Sequence, residues 1–300
     1  MRYVRFSAFL VSLAIAALSG CGGGGSASGG SGGSGGGGGT TFHPRPFPGD
    51  FFAASPEPEF ISGKIPEYPA NVVYDAALKE FFFSNNSLNE VEAFSSVDGH
   101  RVGAVTVPGA MGLSLSPDGT RMAVGTSTPH NYFVDPATLH VTGEAEIPAS
   151  VMDPATGYEP TMPFLMAAGP VLIEAGGNLF SYDPSNGVFA LANPPGVANG
   201  SGIGEGKPAR SLDGNFLTVP TLGPSGMQMA VYSAQSQTWI GFGPTQFQID
   251  ALAANPDGSQ FAMMSSPSPG SLRFISFWNR SLQQQGDYLT PGTINNYSIV

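Results

Sequence analysis

The chain carries one thiol, Cys21, and four imidazoles, His43, His100, His130 and His140. These are the side chains best suited to nucleophilic attack, proton transfer or transition-metal binding near neutral pH. Their spacing offers little to such chemistry. A single cysteine makes neither a disulfide framework nor a cysteine-ligated zinc site. No histidine stands at a short ligand spacing from another or from a paired carboxylate. His100 and His140 are expected near turns on a solvated outer rim, and His130 in a loop. Gly32-Gly-Ser-Gly-Gly36 has the form of a nucleophile elbow, but an elbow needs a strand before it and a helix after it, and this one sits in a run of glycines. Gly202-Ile-Gly-Glu-Gly-Lys207 has part of a phosphate loop. Its first glycine is misplaced, Pro208 stands where a Ser or Thr hydroxyl is needed, and no helix pattern follows. Asp118, Asp213 and Asp257 recur, each followed by glycine. A calcium loop would need further acidic ligands and a downstream Glu. Turn chemistry explains the pairs, because Asp accepts backbone hydrogen bonds and Gly takes positive φ. The reading is therefore of no catalytic set, no cofactor site and no metal site.

The elements that hold these residues are suggested by composition. Glycine (42) and proline (27) are abundant among the 300 residues, while only 11% are charged, against about 25% in ordinary globular chains. A helix-rich chain needs far more Leu, Glu, Lys and Arg. Aromatic content of 11% excludes disorder throughout. A net charge of −11 argues against nucleic acid as a partner, since phosphate binding needs Lys and Arg.

The N-terminus reads as an address. Arg2 and Arg5 precede an apolar run from Phe6 to Leu18, broken by Ser7 and Ser12. As a helix this run would reach about 20 Å, short of the ~30 Å bilayer core, so residues 1–20 read as a secretory signal peptide. Leu18-Ser-Gly-Cys21 resembles a bacterial lipobox. That resemblance implies a diacylglycerol on the Cys21 sulfur, cleavage just before Cys21, palmitate among the acyl chains, and a lipoprotein of the cell envelope. Gly22 is not Asp, which by resemblance to sorting rules favours the outer membrane over the inner. Loss of Arg2 and Arg5 leaves 9 basic against 22 acidic residues, so attachment would rest on acyl chains rather than on anionic lipid. Residues 22–39 are 13 Gly, four Ser and one Ala, and segment 21–41 is expected to be a flexible tether spanning about 25 Å. In 42–69 seven prolines alternate with Phe42, Phe47, Phe51, Phe52 and Phe60, predicting an extended lead-in that packs its rings on the domain.

From residue 70 to 300 a unit recurs. Leu113-Ser-Leu-Ser-Pro-Asp-Gly-Thr-Arg-Met-Ala-Val124 returns as Ala209-Arg-Ser-Leu-Asp-Gly-Asn-Phe-Leu-Thr-Val219 and as Leu252-Ala-Ala-Asn-Pro-Asp-Gly-Ser-Gln-Phe-Ala-Met263. Each places Asp-Gly between alternating runs, as a hairpin requires. A second hairpin signal follows, around Asp135, Asp183, Ser233 and Ser95. Asp213 and Asp257 are 44 residues apart, and Asp135 and Asp183 are 48 apart. Two hairpins at that period make a four-stranded unit that cannot bury both faces alone, which predicts an all-β fold, a β-propeller. The motif resembles the YVTN-type propeller repeat of secreted bacterial proteins. Blades are expected at 70–108, 110–148, 161–196, 207–243 and 247–290. In the third, Ala175-Gly-Gly-Asn178 is expected to replace the first Asp-Gly turn. The family commonly closes with seven blades, and Ile294–Val300 reads as a strand without its hairpin. The chain is therefore expected to be truncated, with a closed five-bladed ring as the alternative.

Lipobox, tether and blades together predict a lipid-anchored extracytoplasmic propeller that binds or scaffolds a protein or glycan and touches the membrane through Cys21. The alternative is a lactonase- or lyase-like propeller enzyme with its site at the central channel. A fold does not choose between them.

Overall fold

The computed structural model describes residues 71–151, 160–197, 203, 208–223, 226–244, 248–266 and 274–289. Cys21, His43, the tether, the 42–69 lead-in and the 294–300 strand lie outside the described residues. So does most of the phosphate-loop-like stretch.

All regular structure among the described residues is β. The first sheet holds β1 (Asn71–Asp75), β2 (Glu80–Asn85), β3 (Glu90–Ser95) and β4 (Arg101–Thr106). The second holds β5 (Ala110–Leu115), β6 (Met122–Thr126), β7 (His130–Asp135) and β8 (His140–Glu146). The third holds β9 (Met162–Phe164), β10 (Val171–Ala175), β11 (Asn178–Asp183) and β12 (Val188–Leu191). The fourth holds β13 (Ala209–Arg210), β14 (Phe216–Gly223), β15 (Gly226–Ser233) and β16 (Thr238–Pro244). The fifth holds β17 (Gln248–Ala254), β18 (Gln260–Ser266), β19 (Phe274–Asn279) and β20 (Gln284–Leu289). Each sheet is an antiparallel meander in chain order.

The sheets stack face to face, and period-two alternation explains how. On β6, Met122 and Val124 face the first sheet in a cluster with Phe82, Val91 and Leu113, while Ala123 between them faces the third with Ile173 and Phe180. On β10, Val171 and Ile173 face the second sheet, and Leu172 faces the fourth with Leu217, Val219 and Tyr232. Met229 joins the fourth sheet to Ile249 and Met263 of the fifth. Burying one Phe or Leu at such a seam is worth about 1.5–3 kcal/mol. Trp239 and Trp278 pack on the third and fourth of these clusters, as strand tryptophans between sheets should. First strands of successive sheets touch, β1 with β5, β5 with β9 and β13 with β17, which marks them as the inner strands.

One expectation is corrected. Gly176-Gly177 does not stand in for the first turn of the third blade. It joins β10 to β11, the second connection, with φ of +56° and +68°. The first turn runs from Leu165 to Pro170, with Gly169 at φ +81°. The inner strand β9 is only three residues long, so no alternating run announced the turn after it.

Candidate functional site

The recurring Asp-Gly pairs stand in the first turns of blades two, four and five. Ser116, Ser211 and Asn255 open these turns. Gly119 N–H donates to Ser116 O (2.9 Å), Gly214 N–H to Ser211 O (3.0 Å) and Gly258 N–H to Asn255 O (3.0 Å). The glycines take φ of +70°, +69° and +64°. Only glycine does so without strain. Asp118 Oδ1 accepts from the Ser116 hydroxyl (2.5 Å), Thr120 N–H (3.1 Å) and the Thr120 hydroxyl (2.9 Å). Asp213 accepts from the Ser211 hydroxyl (2.6 Å) and Asn215 N–H (3.0 Å), and Asp257 from Ser259 N–H (2.9 Å). The Ser116 hydroxyl leads in holding the Asp118 carboxyl down at about 2. Burial pushes Asp213 up, but Ser211 and Asn215 outweigh it and the net shift is downward. These carboxylates serve their own turns.

The turns also meet one another. A Cβ on Gly119 would lie 3.0 Å from Asp75 Oδ2 in the first turn of blade one. Gly214 of blade four lies against Pro117 of blade two, two blades away, an approach open only near the axis. Ala167 N–H of blade three donates to Gly214 O (2.9 Å), and Asp213 N–H to Pro256 O of blade five (3.0 Å). Arg210 reaches across the same end, its Nη1 donating to Leu165 O (2.6 Å). Burial lowers the Arg210 guanidinium to about 10, against the pull of Asp213, so it stays charged at neutral pH. One end of the axis is thus drawn together by first turns. At the other end Asn71 Nδ2 donates to Met162 Sδ (3.3 Å), linking the inner strands of blades one and three.

The histidines fall mainly where the sequence put them. His100 closes the turn between β3 and β4 of blade one and His140 begins β8, both exposed. His130 is not in a loop but opens β7, and its Nδ1 stands 2.7 Å from Glu144 Oε1, with Nε2 4.0 Å from Glu146 Oε1. Sequence spacing missed this pairing because the hairpin brings residues 14 apart side by side. Glu144 alone is within hydrogen-bond distance and holds one ring nitrogen, while Glu146 stands beyond that distance from the other. Tyr132 on the same strand is pushed up by burial and then by Glu144. Among the described residues no group of three His, Cys, Asp or Glu is gathered for a metal.

Five four-stranded antiparallel meanders, stacked face to face with their first strands innermost, define a β-propeller. No protein-family model and no curated protein matches the sequence. Solved structures do share the fold. Hydrazine synthase of Kuenenia stuttgartiensis superposes with a TM-score of 0.55 at 14% identity, over 76% of this chain and 68% of that one. The Dos1 propeller gives 0.55 at 13% identity, over 76% of this chain and 60% of that one. The β-propeller domain of Cps50 (Swd1) from Myceliophteria thermophila gives 0.57 at 10% identity, over 76% and 73%. At these identities the likeness is one of fold alone.

Proposed function

We propose that this chain is a lipid-anchored binding module of the bacterial cell envelope, a propeller with YVTN-type repeats tethered through Cys21 outside the cytoplasm. The observation that carries the reading is Leu18-Ser-Gly-Cys21, placed directly behind a basic start and a short apolar run. The Gly/Ser tether supports it by giving the domain room to reach a protein or glycan clear of the lipid. The turn carboxylates support a binding role over catalysis, because Asp118, Asp213 and Asp257 spend their acceptor capacity on local donors. Labelled palmitate tests the anchor. The wild type should incorporate it and partition into membranes, with the outer membrane enriched, and Cys21→Ser should do neither. Equal labelling of the two proteins, or a mature N-terminus elsewhere than Cys21, defeats the proposal.

A further inference from the structure

The first turn of blade one departs from those of its neighbours. The residues that open and close these turns are Asp75 and Glu80 in blade one, Ser116 and Arg121 in blade two, Ser211 and Phe216 in blade four, and Asn255 and Gln260 in blade five. In blades two, four and five the opening side chain is neutral and fully engaged. The Ser116 and Ser211 hydroxyls donate to Asp118 and Asp213, while Asn255 Nδ2 donates to the Ser259 hydroxyl (2.8 Å) and its Oδ1 accepts from Gln260 N–H (3.1 Å). Blade one puts a carboxylate there, and it is 2% exposed. Asp75 Oδ1 accepts from Ala77 N–H (2.8 Å) and Leu78 N–H (3.0 Å), but the buried Oδ2 accepts from nothing. Glu80 stands opposite in register and on the same face, since Val73 and Phe82, each two residues further along, both pack toward blade two. Burial, and then the Asp75 carboxylate, push the Glu80 carboxyl up against the pull of His100. Among the described residues no Lys, Arg or His forms an ion pair with either carboxylate. A buried carboxylate oxygen without a donor or a counter-charge is costly.

Blade five shows what fills the matching place. Its Asp257-Gly258 turn lies against Phe216 of blade four, the counterpart of Glu80, and a Cβ on Gly258 would strike that ring. Over the ring sits the Arg280 guanidinium, which donates to Gly258 O (2.9 Å) and Asp257 O (2.7 Å). The Asp118-Gly119 turn of blade two has the same shape, with Gly119 at φ +70° against +64° for Gly258 and the same bond back to the carbonyl of the opening residue. It lies against Asp75 of blade one. Nothing among the described residues donates to Asp118 O or Gly119 O. The blade-two turn that corresponds to that of Arg280, Asp135–Leu139, carries no basic side chain. We propose that a calcium ion stands between blades one and two where a guanidinium stands between blades four and five, bound by Asp75 Oδ2, the Glu80 carboxylate and the carbonyl oxygens of Asp118 and Gly119. The donors are all oxygen and come from two separate turns. That suits calcium, which accepts carbonyls, carboxylates and water in irregular shells, better than magnesium, which demands a strict octahedron. Two carboxylates are enough because the turn carbonyls supply further ligands. The ion would neutralise Asp75 and fasten blade one to blade two, as Arg280 fastens blade five to blade four.

Calorimetric titration of the chelator-stripped full chain with calcium chloride tests the site. Wild type should bind one ion per chain, with an affinity in the range of extracellular calcium modules, and should unfold at a higher temperature with calcium than with chelator. Asp75→Asn keeps the Oδ1 acceptor for Ala77 and Leu78, so the turn can still form, yet it should weaken calcium binding by about tenfold or more and lose the thermal response. Glu80→Gln should do the same. Asp257→Asn alters a turn carboxylate outside the site and should respond to calcium as wild type does. No calcium response in wild type overturns the proposal, and so does a response that Asp75→Asn retains or that Asp257→Asn also loses. An equal response to magnesium overturns the choice of calcium. None of these readouts depends on lipid at Cys21, so the ion site and the anchor fail separately.

Discussion

Thr161 and Thr126 hold each other by both backbone and side chain. Thr161 N–H donates to Thr126 O (2.8 Å), and Thr126 N–H donates to the Thr161 hydroxyl oxygen (2.7 Å). Both residues are buried, and the pair ties the chain just before β9 to the end of β6, joining blade three to blade two. Gly125 makes the approach possible, because any side chain there would collide with the Thr161 carbonyl. Thr161→Ala should leave the Thr126 N–H buried without a partner and cost about 1–3 kcal/mol. Thr161→Ser keeps the hydroxyl and should retain most of that stability. Urea unfolding of both variants checks this, and equal losses would remove the hydrogen bond as the cause.

Gly119 takes φ of +70°, and a Cβ there would meet the Asp75 carboxylate. Gly119→Val should destabilise by about 1–2 kcal/mol or more, since a left-handed backbone is costly for a β-branched residue. Gly286 has nothing within 4 Å of a built Cβ. Gly286→Ala should therefore stay within about 0.5 kcal/mol of wild type. Thermal unfolding of the two variants side by side measures the contrast.

Arg280 fastens blade five to blade four. Its Nε donates to Gly258 O (2.9 Å), its Nη2 to Asp257 O (2.7 Å), and its guanidinium carbon lies 4.1 Å from the centre of the Phe216 ring. Arg280→Lys should recover little of the loss seen in Arg280→Ala, because one ammonium cannot serve two carbonyls and the ring in the same geometry. A double-mutant cycle with Phe216→Leu should return a coupling of about 0.5–1 kcal/mol. A coupling near zero would reduce the contact to simple proximity.

Acid should loosen the Asp-Gly turns. The Ser116 hydroxyl, with the Thr120 N–H and hydroxyl, holds Asp118 at about 2 in the folded chain. A carboxyl depressed on folding adds stability above its unfolded pKa, near 4, and that stability is lost as pH falls through the folded value. Wild type should therefore be more stable than Asp118→Asn at pH 5, with the difference shrinking toward pH 2.5. Urea midpoints at the two pH values test the sign. A gap that stays constant would show that the turn does not sense the Asp118 proton.

Local chemistry made much of this molecule legible in the sequence. Asp-Gly demands a turn wherever it falls, so Asp118, Asp213 and Asp257 located three first hairpins, and their period set the four-stranded unit and the all-β class. Blade three was harder, because a three-residue inner strand and a turn built on Gly169 carry no such pair. Cys21 and its flanking residues can be read only from sequence, since they lie outside the described residues. What tertiary structure alone decided are contacts between residues distant along the chain. His130 meets Glu144 through a hairpin, Pro117 meets Gly214 across the axis, and Thr161 meets Thr126 between blades. Alternation says that Phe82 and Phe83 face opposite ways, but not which face receives the next blade. Stacking settles that, because burial against Leu113 and Val124 is available to one face only.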